Sequence, residues 1–175
     1  MVENQKIVLN KKLPIIFVGM PGSGKSTVAK LISDKLNLPF VDTDLVFQAK
    51  FSTTPKDTIS KFGELRFREL ESQVLNDLRR HNEIILATGG GLPCFYNQME
   101  LLNNWGTTVF LDCELSTLAE RLKNDSTRPL LNNNLFENLS ILHDSRSSIY
   151  EMAQIKVNAN LNLEELSVKL IELLK

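Results

Sequence analysis

Gly19-Met20-Pro21-Gly22-Ser23-Gly24-Lys25-Ser26-Thr27 fits the pattern G-x-x-x-x-G-K-[ST]. The apolar run Pro14 to Val18 precedes it and reads as a buried strand. Thr27 to Leu36 follows, with Val28, Leu31, Ile32 and Leu36 at helical spacing. A glycine-rich turn between a strand and a helix is the context in which this motif becomes a phosphate site. Its glycines let the backbone curl until successive N–H groups point inward at phosphate oxygens. The helix behind adds the positive end of its dipole. Gly22, Ser23, Gly24, Lys25, Ser26 and Thr27 are therefore candidate nucleotide-binding residues. Lys25 can reach the β- and γ-phosphates, and the Ser26 hydroxyl can ligate Mg²⁺. The alternative is a flexible Gly/Ser turn ahead of a helix, which the elements on either side disfavour.

Outward from this turn, Pro39-Phe40-Val41, Ile84 to Ala87, Thr107 to Leu111 and Ile155-Lys156-Val157 read as further short strands, after a first one over 13–18. Thr54 offers a cap ahead of Pro55, with Asp57 in the first turn, so a short helix is expected to run to about Gly63. A longer one over 64–80 places Leu65, Leu70, Val74, Leu75 and Leu78 on or near one face. Helices are also expected over 96–103, from a cap at Ser116 through Leu122, and over 135–150. Asn162 with Glu165 three residues on starts the last helix in capping-box fashion, and Leu166, Leu170, Ile171 and Leu174 form its core stripe. Ile7-Val8-Leu9 reads as an extra strand or an ordered arm. Asn124 to Pro129 and Asn132 to Asn134 break the helical pattern and read as a polar, mobile loop. Five strands alternating with helices imply an α/β fold, a parallel sheet covered on both faces, in one domain over 1–175. In such a sheet ligands bind beyond the carboxyl ends of the strands.

The chain of 175 residues suffices for one sizeable core. Lys plus Arg number 20 and Asp plus Glu 21, for a net charge of −1. That balance gives no general attraction to nucleic acid or to an anionic membrane, so neither is expected as a partner. Cys94 and Cys113 are too few for a disulfide framework, have no metal-ligand spacing, and read as small buried apolar residues. No signal peptide and no run of membrane-spanning length is evident, so the expected location is the cytoplasm.

Two further groups follow strands, and a third lies in the polar loop. Asp42 and Asp44 stand two apart at a strand end, where both side chains can face one way. Alone, the pair reads first as a polar strand end with Asp44 capping the next helix; beside a phosphate loop the balance reverses, and one carboxylate can help hold Mg²⁺ while the other orients or deprotonates an acceptor hydroxyl. Gly89-Gly90-Gly91 weakens a strand unless a backbone must approach something closely. A substrate against bare backbone is one reading and a tight turn the other. Arg128 lies in the polar loop before Pro129-Leu130-Leu131, where a lid could swing it onto a transferring phosphoryl group. His81 and His143 sit in no metal or triad setting, and Trp105 reads as packing. Asp112 ends a strand without an assigned metal role.

Taken together, GMPGSGKST at 19–27, FVDTD at 40–44, FGELRFRELE at 62–71, TGGG at 88–91, RPLL at 128–131 and RSSIY at 146–150 resemble the shikimate kinases from about Leu13 onward. The resemblance implies a three-layer fold like that of P-loop NTPases and nucleoside monophosphate kinases. It also implies a substrate-binding region over 45–80 and a mobile lid over 124–135. The implied reaction is transfer of the γ-phosphoryl of ATP to the 3-hydroxyl of shikimate, with Mg²⁺, by a monomer. On the same resemblance Asp44 binds the shikimate hydroxyls and is the candidate base, and Asp42 sits near Mg²⁺. Arg68 and Arg146 take the shikimate carboxylate, and Gly90 and Gly91 contact the substrate through backbone. Arg128 is the lid arginine, Arg121 stacks on adenine, and Glu71 anchors Arg68 or Asp44. The competing readings are another small P-loop kinase, for gluconate or a nucleoside monophosphate, and a non-catalytic nucleotide-binding switch.

Overall fold

The sheet is built from strands too short and too apolar to stand alone. β1 (Ile15–Val18) is four consecutive buried residues with no polar alternation, as a strand covered on both faces requires. It pairs in parallel with β3 (Ile85–Ala87) on one side and β4 (Thr107–Asp112) on the other. β2 (Phe40–Asp42) and β5 (Ile155–Asn158) complete the order β2-β3-β1-β4-β5. This computed structural model describes residues 8–123 and 134–175. Within them seven helices flank the sheet: α1 (Lys25–Leu36), α2 (Thr43–Phe51), α3 (Pro55–Leu78), α4 (Gln98–Trp105), α5 (Leu115–Leu122), α6 (Leu135–Tyr150) and α7 (Leu163–Leu174). After β1 the chain fills one side of the sheet, then crosses to the other through β4 and β5. The order reverses at β1, so the crevice beyond its carboxyl end is where the fold opens to a ligand.

Several expectations hold in detail. The Thr54 hydroxyl accepts from the Asp57 N–H at 3.0 Å and starts α3. The anticipated break at Gly63 is present inside that helix, at φ +83 and ψ 164. Asn162 caps α7 by accepting from the Glu165 N–H at 3.0 Å, and the stripe of Leu166, Leu170, Ile171 and Leu174 is buried. Trp105 packs as the last residue of α4, donating its indole N–H to Asn82 Oδ1 at 3.3 Å. It lies next to the start of β4, at the end of the sheet opposite the phosphate loop.

Other expectations are corrected. Residues 43–51 form α2, which no apolar stripe announced. Its cap is Asp42, whose Oδ1 accepts from the N–H groups of Asp44 at 2.9 Å and Leu45 at 3.4 Å. Asp42 and Asp44 therefore do not share one strand end: one closes β2 and the other lies in the first helical turn. Leu65 is 70% exposed, and Phe67 is buried in its stead. The chain restarts as a helix after Gly63 and presents a different face. α4 begins two residues late because Tyr96 and Asn97 take positive φ. Ser116 does not cap α5. Glu114 does, without a side-chain bond, its N–H held by Asn160 Oδ1 at 3.1 Å. Of the expected arm, residues 8–10 form no strand; the Asn10 N–H bonds the Leu174 carbonyl at 3.1 Å.

Candidate active site

The turn after β1 is wound by Gly19 at φ +141, Gly22 at +81 and Gly24 at +90, conformations that side chains rarely adopt. α1 starts on Lys25 itself, so the motif's lysine and hydroxyls stand at a helix N-terminus. Lys25 is buried and its Nζ donates to the Met20 carbonyl at 2.9 Å, arching over the turn. The Ser23 hydroxyl is buried among these groups and, among the described residues, has no hydrogen-bond partner, which a concave cradle for an oxyanion accounts for. Ser26 Oγ donates to Asp42 Oδ2 at 2.5 Å. Asp42 thus ends a strand, caps a helix and meets the motif's hydroxyl with its two oxygens.

Across the crevice, the ends of β1, β2 and β3 are tied together. The Thr88 hydroxyl donates to the Phe17 carbonyl at 3.0 Å, and the Thr43 hydroxyl accepts from the Gly89 N–H at 2.8 Å. The three glycines leave room chiefly for the protein's own side chains. A Cβ on Gly89 would stand 2.7 Å from Asp44 Oδ1 and 3.2 Å from Glu71 Oε1. One on Gly90 would press on Pro21 at 3.1 Å, and one on Gly91 would collide with the Arg68 guanidinium. The Gly90 carbonyl accepts from the buried Tyr150 hydroxyl at 2.5 Å.

Arg68 is buried between the rings of Phe67 and Phe95, its guanidinium carbon 4.8 and 4.2 Å from their centroids. Its Nη1 donates to Glu71 Oε2 at 2.8 Å, while Nε and Nη2 donate to Glu64 Oε1 at 3.3 and 3.0 Å. Burial pushes the Glu71 carboxyl from 4.5 up to about 7, against the opposing pull of Arg68 and, more weakly, of Arg146; the Asp44 charge adds to the rise. Burial likewise raises the Tyr150 phenol, with Cys94 adding to it and Arg146 opposing it. Arg146, on α6, is thus near enough to Glu71 and Tyr150 for its charge to bear on both. The carboxyl of Glu71 is bonded to Arg68 and feels the charges of Asp44 and Arg146.

A cavity of about 430 Å³ joins the phosphate turn to Asp42, Asp44 and residues 88–90, and extends past Arg121 to Leu161, Leu163 and Leu166. Arg121 spans its far end, donating to the Gly22 carbonyl at 3.4 Å and the Ala159 carbonyl at 3.2 Å. Gly91, Arg68 and Arg146 are absent from its lining; Gly91 lies against the Arg68 guanidinium. Arg128 and the rest of 124–133 lie outside the described residues. Sequence reasoning missed Thr43 and the Tyr150 bond to Gly90, whereas the resemblance points to a loop near 158–163 as facing the adenine, where Ala159, Leu161 and Leu163 line the cavity. Tyr150 stands four residues after Arg146 and shares its helix face, a spacing that could have flagged it. Among the described residues no group of three or more His, Cys, Asp or Glu is poised around a metal ion. The Ser26–Asp42 pair suits a cation that keeps waters and phosphates as its other ligands.

Comparison with known proteins gives this arrangement its relatives. The shikimate kinase family model matches residues 21–175. A shikimate kinase of Sulfurihydrogenibium sp. is 40% identical over 146 residues, covering 83% of this chain and 87% of that protein. The crystal structure of the shikimate kinase from Bacteroides thetaiotaomicron superposes with a TM-score of 0.87 at 34% identity, over 93% of this chain and 98% of that one. That from Acinetobacter baumannii, solved in complex with shikimate, gives 0.86 at 32% identity over 92% of each.

Proposed function

The chain belongs to the shikimate kinase family, an ATP-dependent kinase acting on shikimate, and from that premise we propose which of its residues carry the reaction. The γ-phosphoryl of ATP passes to the 3-hydroxyl of shikimate: a P–O bond forms to that oxygen, the bond to the β-phosphate oxygen breaks, and ADP leaves. The turn over 22–27 takes the phosphates on its N–H groups, and the buried Ser23 hydroxyl supplies a donor that has no other partner among the described residues. Lys25 exchanges the Met20 carbonyl for phosphate oxygen and neutralises charge as it spreads over the transferring group. Arg121 and the apolar wall at Leu161 and Leu163 take the base.

Asp44 receives the acceptor hydroxyl, orienting it or accepting its proton as the new bond forms. Arg68 and Arg146 hold the acceptor's carboxylate, with Glu71 fixing the first, and Gly90 and Gly91 approach the substrate through backbone. Ser26 and Asp42 would hold Mg²⁺, which supplies charge neutralisation at the β- and γ-phosphates. Arg128 enters on its place in the motif RPLL alone, as the arginine of a lid over 124–135. One domain over 1–175 with its substrate region at 45–80, acting as a monomer in the cytoplasm, completes the reading. Among the described residues no helix is long and apolar enough to cross a membrane.

The observation carrying this proposal is the contact of Asp44 and Glu71 with Gly89 on the same crevice that holds Lys25. Through Glu71 and its partner Arg68 it sets a carboxylate-binding guanidinium beside a phosphate cradle, an arrangement without purpose in a simple nucleotide switch. The test is ADP release with ATP and a panel of shikimate, gluconate and nucleoside monophosphates. Turnover on shikimate alone, lost in Lys25→Met, is expected. Turnover on gluconate or a nucleotide and none on shikimate would refute the assignment.

A further inference from the structure

The two edges of the Arg68 guanidinium are held differently. Nη1 faces Glu71, and both side chains are almost wholly buried. Nε and Nη2 share one oxygen of Glu64, whose side chain is 55% exposed. The Nε–Nη2 edge is one of those that can meet a carboxylate in two parallel N–H···O bonds. We infer that Glu64 occupies, in the ligand-free chain, the seat of the acceptor's carboxylate, so that shikimate binds by displacing an internal carboxylate. This rests on the reading of Arg68 as the acceptor's anchor.

Charge balance gives Glu64 its task. Arg68 is buried, and a buried guanidinium without an ionised partner is costly. Glu71 answers that need only in part, because burial favours its protonated form. Glu64 supplies the remaining charge while the site is empty and becomes surplus once a substrate carboxylate arrives. It is also built to leave. A half-exposed ion pair four residues apart on a helix is weak. Glu64 directly follows the break at Gly63, in the first turn of the restarted helix, where a carboxylate is favoured by the free N–H groups whether or not it touches Arg68. Glu71, buried three residues on from Arg68, has no such exit. One carboxylate is thus fixed and the other exchangeable, and the exchangeable one makes Glu64 a determinant of affinity for anionic acceptors.

The test is titration calorimetry of the full chain with shikimate and with its uncharged methyl ester. Glu64→Gln keeps the shape and removes the charge, and should tighten shikimate binding by about two- to fivefold, the scale of an exposed ion pair, with the ester unchanged. Glu64→Ala should tighten it similarly. Unchanged or weaker shikimate affinity in Glu64→Gln overturns the inference, and so does equal tightening of the ester. If Arg68→Ala leaves shikimate affinity intact, the anchor is misassigned and both readings fall. If Arg68→Ala weakens binding while Glu64→Gln does not tighten it, only the inference about Glu64 falls.

Discussion

Glu71 is the residue on which the acceptor side turns, since it touches Arg68 and feels Asp44 and Arg146. Its carboxyl holds a proton more tightly folded than unfolded. That contribution to stability is fully present below 4.5 and is lost as pH rises through about 7. Glu71→Gln cannot titrate. The denaturant midpoint of the ligand-free chain should therefore fall more between about pH 5 and about pH 8 in the native protein than in the variant. An equal fall in both would exonerate Glu71. Removing its partner acts on binding: Arg68→Ala should weaken shikimate by roughly 2–5 kcal/mol, the range for breaking a desolvated charge pair, with ATP affinity nearly unchanged. The family pattern named both residues. From sequence alone, a spacing of three says only that they share a helix face, not that the face looks into a site.

At the scale of elements, two glycines of the acceptor side work in opposite ways. Gly91 has an ordinary φ of −83, but a Cβ there would stand 2.7 Å from Arg68 Nη1. Gly91→Ala should raise the shikimate KM several-fold by pushing the guanidinium out of its seat between Phe67 and Phe95, and should lower the unfolding midpoint as well. Gly63 has open space where a Cβ would stand, with nothing within 4 Å, yet its φ of +83 and ψ of 164 belong to a region essentially reserved for glycine. Gly63→Ala should lower unfolding free energy by about 1–3 kcal/mol; a neutral result would mean the break is not strained. The strands were legible because each is a short apolar run between turn residues. α6 was legible over its whole length, 135–150. α2 was not, because its cap, Asp42, carries a second task that drew the reading first. The face of α3 was misjudged because the Gly63 break resets its phase.

For the whole molecule, the strand order β2-β3-β1-β4-β5 puts the expected site residues, among those the structure describes, at one rim. Binding there stabilises the folded state by mass action. A non-hydrolysable ATP analogue at 100 times its Kd should add about 2.7 kcal/mol to unfolding, and clearly less in Lys25→Met at the same concentration. Equal gains would remove Lys25 from the phosphate cradle. This rim could be foreseen from alternating strands and helices, whereas the wall at Ala159, Leu161 and Leu163 was reached only through the resemblance, since it is apolar, lies far along the chain and has no polar signature. The opposite rim has a practical consequence. The chain's one tryptophan, Trp105, is 8% exposed, bonded to Asn82, and sits where β4 begins. Its fluorescence is a built-in optical gauge of sheet integrity that stays dark to occupancy of the catalytic rim, so melting and ligation can be followed as separate signals in one cuvette.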